Sequence, residues 1–380
     1  CTTTPSSTPC SRVRHSSLTL IPVPSESLHV ARYLIIRLSA MGDVAMLIQV
    51  LYAVARANEQ HEFILLTQPF LTELLLDAPD NVEAMAIDIR REEHSFLGLV
   101  RYAQRLRREH FDAVLDLHDV LRTKCLRGFL RLTGVPCQHL VKPRRERRRL
   151  VADDPKKDLT PLPPMWSLYQ QVFRSAGLTV PEGIPPVAIH PSIRSTFERL
   201  HPELLSRGSG RIRLGIAPFA STPAKTYDLG LMLQAVRQLE ETERFEIFLF
   251  GGRGREQATL EEWAQGRQHI RSVAGQLDLS NELILMASLR AMISMDSANM
   301  HLASLVGTRV FSVWCCTHPA AGFLGIGQHW EDCLQPEDAP RRPCSIFGNN
   351  KRCHTGEHFA CSRALAPERI VQAVTSLLED

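Results

Sequence analysis

The chain has 380 residues, which is enough for two domains of ordinary size. Its 44% hydrophobic and 22% charged content excludes disorder along the whole length, and a net charge of only +3 does not require a polyanionic partner. No stretch approaches the roughly 20 apolar residues of a membrane-spanning helix, and the apolar run at 18–21 is too short for a secretory signal, so we expect a cytoplasmic protein.

The first 30 residues contain loop-like runs of Thr, Ser and Pro without any period. We interpret 1–30 as a disordered extension or an over-long start.

An alternating series of apolar strands and helices is expected next. Runs at 33–38, 63–67, 84–89 and 113–117 predict four strands, with helices over 44–57 and 96–109 between them. This alternation predicts a doubly wound parallel sheet, whose ligands collect at the carboxyl ends of the strands. Asp43 and the group Asp116, His118 and Asp119 would lie there. As an alternative, Asp43 is only the N-cap of the helix that follows.

Basic residues cluster after the fourth predicted strand, at Arg122, Lys124, Arg127 and Arg131 and then along 142–149. If this segment is helical, spacings of three and four put Lys124, Arg127 and Arg131 on one helix face. That face could contact phosphate or carboxylate groups of an acceptor. A solvated helix surface is the alternative, and it fits the arginine-rich end of the run at least as well. Aromatic residues make up only 6% of the chain and do not interleave with the charges, which argues against nucleic acid as a partner.

A Pro-rich stretch over 151–195, interrupted by an amphipathic segment at 166–176, predicts the last element of a first domain followed by an interdomain linker.

A second series of alternating strands and helices follows the linker. Its strands are predicted at 212–218, 245–250, 289–295 and 310–314, and a closing helix over 367–378.

Two strand ends of this second series carry residues that suit a phosphate group. The turn after the first strand contains Ser221, Thr222 and Lys225, which are common partners of phosphate but also common in ordinary turns. Glycines at 251–254 permit close approach of the backbone, and Glu256 just beyond could accept from ribose hydroxyls. The spacing of the dinucleotide fingerprint is missing, so NAD is not predicted.

A third strand end, Asp296-Ser297-Ala298-Asn299, begins a helix that continues through His301. An Asp-Ser pair can cap such a helix, and the first helical amides form an anion site. A diphosphate could bind the amides of Ser297, Ala298 and Asn299 while Asp296 accepts from hydroxyls. Taken alone, the stretch is explained most simply as an ordinary capped turn.

Three segments, 37–44, 218–225 and 296–303, together resemble glycosyltransferase family 9, the heptosyltransferase family, and the resemblance extends from about Arg32 to the C-terminus. It implies a GT-B fold, an α/β architecture in which two Rossmann-like domains face each other across a cleft. We place an acceptor-binding N-terminal domain at 31–185 and a donor-binding C-terminal domain, with its closing helix, at 186–380.

The resemblance also implies roles for single residues. Asp43 matches the general base, which takes the proton from the acceptor hydroxyl during a single inverting displacement. Ser221, Thr222 and Lys225 match the diphosphate-binding turn, where the ammonium offsets charge on the departing ADP without a metal. Glu256 falls where the family has an acid that contacts the nucleoside.

At the third strand end, Asp296 would contact the transferred sugar, the amides of Ser297 to Asn299 would contact the phosphates, and His301 would orient the turn or touch the ligand. The candidate acceptor-binding residues are Arg122, Lys124 and Arg127.

Some positions depart from the family pattern. Ala298 stands where the family usually has Gly, so that a positive φ there would be costly. Phe219 replaces a small residue, and Tyr227 stands where Trp is frequent. These differences leave the identity of the donor open.

Four cysteines near the C-terminus, Cys333, Cys344, Cys353 and Cys361, form a group with His354. Their spacing lacks the close C-x2-C pairs of structural zinc sites, so reduced packing cysteines are favoured over a zinc site and no metal is predicted.

The resulting prediction is an inverting glycosyltransferase that needs no cofactor and moves heptose from ADP-heptose to the lipopolysaccharide inner core. It would act in the cytoplasm, peripheral to the inner membrane. The alternatives are a family member with another nucleotide sugar or acceptor, and a non-catalytic nucleotide-sugar-binding protein on the same fold.

Overall fold

A computed structural model describes residues 30–89, 95–205, 210–336, 339, 341–349, 353, 357 and 359–376. The predicted extension up to residue 29, His354 and the end of the predicted closing helix at 377–378 lie outside these residues. The chain forms two α/β units, each built on a parallel sheet.

The first unit contains five strands and five α-helices among the described residues. The strands are β1 (Arg32–Ile36), β2 (Glu62–Thr67), β3 (Val82–Ala86), β4 (Ala113–Asp116) and β5 (Cys137–His139). The helices are α1 (Met41–Arg56), α2 (Phe96–Arg108), α3 (Leu121–Leu132), α4 (Arg144–Leu150) and α5 (Met165–Ser175). The strand order is β3-β2-β1-β4-β5. The inner strands are almost continuously apolar because helices cover both faces of the sheet.

The second unit contains six strands and seven α-helices among the described residues. The strands are β6 (Ile212–Ala217), β7 (Phe245–Leu249), β8 (Ile270–Ser272), β9 (Ala291–Met295), β10 (Arg309–Val313) and β11 (Cys333–Leu334). The helices are α6 (Pro191–Leu200), α7 (Pro202–Leu205), α8 (Leu229–Glu241), α9 (Arg255–Ala264), α10 (Leu279–Met286), α11 (Ala298–Leu305) and α12 (Pro367–Thr375). The strand order is β11-β10-β9-β6-β7-β8.

In each sheet the strand order reverses direction at one position, the topological switch point. In the first sheet this switch point lies between β1 and β4, and in the second between β6 and β9. Ligands of doubly wound sheets bind outside the carboxyl ends of the strands at this place. The turns that follow these four strands contain Asp43, Asp119, Lys225 and Asp296. The switch points of the two sheets therefore lie beside the segments in which the sequence motifs occur.

The two units share a hydrophobic core. Helix α1 packs on α11 of the second unit as well as on α5 of its own. Leu47 of α1 and Leu302 of α11 belong to one buried apolar cluster. The predicted fold of two Rossmann-like domains is confirmed. The predicted boundary after residue 185 falls in the non-helical stretch between α5 and α6.

Several elements were not predicted. Strands β5, β8 and β11 have only two or three residues, which is too short to show a period. Helix α6 lies in the stretch interpreted as a Pro-rich linker, where Pro191 begins a helix instead of interrupting one. Across the residues that the structure describes, none of the helices is both long and apolar enough to span a bilayer.

Candidate active site

An ion pair joins the ends of the two central strands of the second sheet. Lys225 Nζ lies 2.9 Å from Asp296 Oδ2, and the two side chains are only 12% and 6% exposed. Thr222 Oγ1 is buried nearby and has no hydrogen-bond partner within the described part of the chain. Ser221 is exposed at the start of the same turn. The structure therefore brings together the two predicted phosphate-binding turns, which lie on adjacent strands β6 and β9.

The predicted side-chain cap of α11 is wrong. Ser297 is the N-cap residue, but its side chain does not cap the helix. Its Oγ lies 3.2 Å from Ser294 Oγ, and the Asp296 carboxylate turns to Lys225 instead. The first amides of α11 therefore lack a side-chain acceptor, which is the arrangement that binds anions. Ala298 is the first residue of the helix, so the positive φ considered for it does not occur.

Glu256 supports the glycine loop that follows β7. Its Oε2 accepts a hydrogen bond of 2.7 Å from the amide of Gly252. The loop ends at Gly254, whose φ of 80° lies in the left-handed region that favours glycine. One carboxylate oxygen of Glu256 is thus used within the loop, and its contact with a nucleoside stays a prediction.

Asp43 is the third residue of α1 and not its N-cap, which is Ala40. Its carboxylate forms an ion pair with the buried Arg37 guanidinium and accepts from the Tyr169 hydroxyl, 3.4 Å away. Burial by itself would raise the pKa of Asp43, but the charge of Arg37 and its hydrogen bond to the carboxylate hold that pKa below its ordinary value. The carboxylate is therefore ionised at neutral pH.

His301 of α11 connects the two halves of the site. A Cβ atom on Gly42 would overlap the Cδ2 atom of the His301 ring and lie 3.2 Å from its Cγ. The ring is buried, its Nδ1 has no hydrogen-bond partner among the described residues, and it feels the charges of Asp43, Asp296 and Lys225. Burial lowers the pKa of His301 despite the two carboxylates, so the ring is neutral at neutral pH.

Arg147 was missed by the sequence analysis, which placed it in an exposed basic run. Its neighbours in α4 are exposed, but Arg147 is buried and donates to Met165 Sδ at 2.9 Å. Its guanidinium lies 5.1 Å from the ring centroid of Phe323 and 5.6 Å from that of Phe347, both in the second unit. The side chain therefore links the two units by cation–π contacts.

Two of the three candidate acceptor-binding cations are already paired. Arg127 lies 3.0 Å from Asp116 and 3.5 Å from Asp119, and Lys124 lies 3.5 Å from Asp119. Arg122 makes no ion pair among the described residues. An acceptor would find Arg122 available, whereas Arg127 and Lys124 would have to share or exchange partners. The acceptor role of all three stays a prediction.

His118 belongs to the same edge of the first sheet. Its Nδ1 accepts from the amide of Leu38 at 3.4 Å, while Lys142 donates to the His118 carbonyl at 2.6 Å. Burial, together with the charges of Arg37 and Lys142, lowers the pKa of His118 to about 3. The ring is therefore a neutral part of the wall beside Asp43.

Among the predicted cysteines, Cys361 interacts with Cys344 and Cys353, while Cys333 and Cys344 have different neighbours. The thiol of Cys333 lies beside Ser312 Oγ and the His329 carbonyl, whereas Cys344 pairs its backbone with Cys316 and places its thiol beside the same residue. Within the described residues no three His, Cys, Asp or Glu side chains are placed to hold a metal ion.

Comparisons with known proteins agree with this fold. The solved structures that resemble the chain include E. coli ADP-heptose lipopolysaccharide heptosyltransferase II, at 19% identity and a TM-score of 0.66, and a family 9 glycosyltransferase from Veillonella parvula, at 15% and 0.68. A third is E. coli heptosyltransferase WaaC with ADP, at 14% and 0.59. Each alignment covers 92% of this chain and 98% of the other. At these identities the likeness establishes the fold.

A search of curated proteins found no match. A sequence profile of glycosyltransferase family 9 (heptosyltransferase) matches residues 99–326, which is more than half of the chain and includes Lys225, Asp296 and His301. The chain therefore belongs to glycosyltransferase family 9, the heptosyltransferase family, and is a glycosyltransferase.

Proposed function

We propose that this glycosyltransferase transfers a heptose from ADP-heptose to the inner core of lipopolysaccharide, with inversion at the anomeric carbon. One observation carries the proposal. Asp43 of the first unit and the Lys225–Asp296 pair of the second unit both lie close to the neutral ring of His301. A base and a diphosphate site on opposite sides of one cleft suit a direct displacement between two bound substrates.

The donor half of the reaction is assigned to the second unit. The first amides of α11 and the Lys225 ammonium contact the diphosphate, and Thr222 Oγ1 supplies a further hydrogen bond. As the bond between the anomeric carbon and the phosphate oxygen breaks, its electron pair goes to the departing ADP. Lys225 stabilises that charge as it develops, which requires neither a metal nor another cofactor.

The acceptor half is assigned to Asp43. An acceptor hydroxyl attacks the anomeric carbon, the new glycosidic bond forms, and the hydroxyl proton passes to the Asp43 carboxylate. Because the pKa of Asp43 is lowered, the base is available throughout the neutral range, although its driving force for proton transfer is reduced.

Lipopolysaccharide carries anionic groups, and the first unit, to which the acceptor is assigned, carries many basic side chains. Arg122 and the exposed arginines of α4, which are Arg144, Arg145, Arg148 and Arg149, lie on this unit. We assign them to contact with the acceptor or with the anionic cytoplasmic face of the inner membrane, where the enzyme would work as a peripheral protein.

A donor screen tests the proposal. The enzyme is incubated with isolated acceptor glycolipid and with ADP-heptose, other ADP-sugars, GDP-sugars or UDP-sugars, and release of the nucleoside diphosphate is followed. We expect turnover with ADP-heptose and acceptor-dependent release of ADP. Turnover with UDP-sugars only, or none with any ADP-sugar, would overturn the proposed donor. A second screen with acceptors that lack the inner core tests the acceptor.

A further inference from the structure

A cavity of about 500 Å³ lies between the two units and reaches the candidate donor site. The first residues of α11, Ala298 and Asn299, line it together with Gly251 and Gly252. Met41, the first residue of α1, contributes from the other unit. Its size is within the range of small-molecule sites, and it is continuous with the amides assigned to the diphosphate. A nucleoside attached to that diphosphate therefore has room here.

The remaining wall of the cavity combines apolar side chains with a carboxyl group. Phe70, Leu277 and Leu279 provide the apolar surface, and Glu282 of α10 lines the same cavity. Within the described part of the chain the Glu282 carboxyl forms neither a hydrogen bond nor an ion pair. A flat aromatic base packs well on apolar side chains, and an unengaged carboxyl beside them can hydrogen-bond to its edge.

The other charged groups near Glu282 have identified contacts. Asp278 caps α10 by accepting from the amide of Asn281 at 2.7 Å. Glu73 accepts from the amide of Leu279 at 3.1 Å and so connects α10 to the first unit. Arg253 packs its side chain against Gly275.

Glu282 differs from an ordinary surface carboxyl in its protonation. Burial, with a smaller contribution from the charge of Asp278, raises the pKa of Glu282 to about 7. At neutral pH the group therefore has both a hydrogen-bond donor and an acceptor available. This property supports the geometric argument and is not its basis.

We propose that Glu282 selects the base of the nucleotide donor by hydrogen bonding to the exocyclic amino group and the adjacent ring nitrogen of a purine. The inference rests on the proposed function, because it takes the nucleotide to be the donor's leaving group. A neutral carboxyl accepts from the N6 amino group of adenine and donates to N1. An ionised carboxylate offers two acceptors instead, which match N1–H and the N2 amino group of guanine.

Two substitutions and one control test the assignment. In Glu282→Gln the amide has an oxygen that accepts and an NH2 group that donates, so it imitates the neutral carboxyl. Glu282→Leu keeps an apolar side chain in the cavity wall and removes both the hydrogen-bond donor and the acceptor. Glu262→Leu is the control, because Glu262 lies exposed on α9 of the same unit and does not line this cavity. Binding of ADP, GDP and UDP to each folded variant is measured by calorimetry at neutral pH.

We expect ADP to bind about tenfold more weakly to Glu282→Leu than to the wild type, with Glu282→Gln and Glu262→Leu within about threefold of it. Unchanged ADP affinity in Glu282→Leu would overturn the role of Glu282 and leave the proposed donor intact. If the wild type prefers GDP and Glu282→Leu loses that preference, Glu282 recognises the amino group of a purine as proposed, but the proposal that the donor is an ADP-sugar is overturned. Preference for UDP, or no binding of any diphosphate, would overturn both.

Discussion

Gly42 of α1 faces the imidazole of His301 so closely that the ring leaves no space for a Cβ atom. This contact joins the residue next to the proposed base to the helix that is assigned to the diphosphate. We expect Gly42→Ala to push His301 and α11 away from α1, and to lower the transfer rate by about 10²-fold, since small misplacements of reacting groups are costly. The measurement is kcat/KM for donor and acceptor.

A matched control exists for this substitution. Gly128 is also helical, in α3, and apart from the adjoining helix backbone no atom of the described residues lies within 4 Å of the position that a Cβ would take. Gly128→Ala should retain activity and gain slightly in stability, because alanine has the higher helix propensity. Equal activity of the two variants would mean that the contact between Gly42 and His301 does not position the site.

Asp43→Asn tests the proposed base. The amide fits the same space but cannot take a proton, so kcat should fall by about 10²- to 10⁴-fold. The affinity for ADP, measured by calorimetry, should stay within about threefold, because the diphosphate contacts are assigned to the other unit. A variant that transfers sugar at the wild-type rate would exclude Asp43 as the base.

Arg37→Gln should change the pH dependence of catalysis. Arg37 holds the pKa of Asp43 below its ordinary value, whereas burial acts in the opposite direction. Without the guanidinium, the effect of burial loses its strongest opposition and the pKa of Asp43 rises, so the acidic limb of the kcat/KM profile should move to higher pH. Tyr169→Phe is the control, because it removes only a neutral hydrogen bond of 3.4 Å and should shift this limb less. An acidic limb unmoved in Arg37→Gln would contradict the assignment.

Lys225→Ala should lower kcat by about 10²- to 10³-fold, since the ammonium is assigned to charge that develops on the leaving group. Because it also frees Asp296 from its buried ion pair, Lys225→Ala should lose stability as well. Thermal unfolding measured alongside activity separates these effects. Substitution of the exposed Lys156 by alanine should change neither quantity, and retention of full activity in Lys225→Ala would refute the leaving-group role.

His118 should make the fold sensitive to acid. Its pKa falls from an ordinary 6.5 to about 3 in the native state, so the unfolded chain binds a proton that the native chain does not. The free energy of unfolding should therefore decrease as the pH falls from 6.5 towards 3. In His118→Gln this decrease should be smaller, as followed by urea unfolding. His190→Gln, at an exposed position, should keep the wild-type dependence, and identical slopes in all three proteins would contradict the prediction.

The fold was predictable because its central strands are long apolar runs separated by helices. The predicted strand at 33–38 corresponds to β1 at Arg32–Ile36, and the one at 245–250 to β7 at Phe245–Leu249. The bounds of these two strands shifted by at most two residues, and the end of the strand predicted at 84–89 by three, because hydrogen-bonded pairing, and not hydrophobicity, ends a strand. The shortest strands, such as β11, depend on their neighbour for pairing and have no pattern of their own.

The individual turns of the site could be predicted from the sequence, but the contacts between their side chains and the rest of the chain could not. Ser-Thr and Asp-Ser turns are visible in the sequence, whereas the partner of Asp43 on α5 is 126 residues away. Arg147 has arginines on both sides in α4, and only the position of Phe323 and Phe347 in the second unit explains why it is the one that becomes buried. Both contacts depend on tertiary packing, within the first unit for Asp43 and between the two units for Arg147.

The buried Lys225–Asp296 pair has a consequence for how the donor arrives. Because Asp296 already neutralises the Lys225 ammonium, this pair exerts little long-range attraction on anions in solution, and recognition by Lys225 begins only at contact. Binding then requires an exchange in which the diphosphate replaces the carboxylate as the neighbour of Lys225 and the carboxylate turns to sugar hydroxyls. Lys225 should therefore contribute little to the ionic-strength dependence of donor association, and abundant inorganic anions compete poorly for the paired ammonium of the resting enzyme.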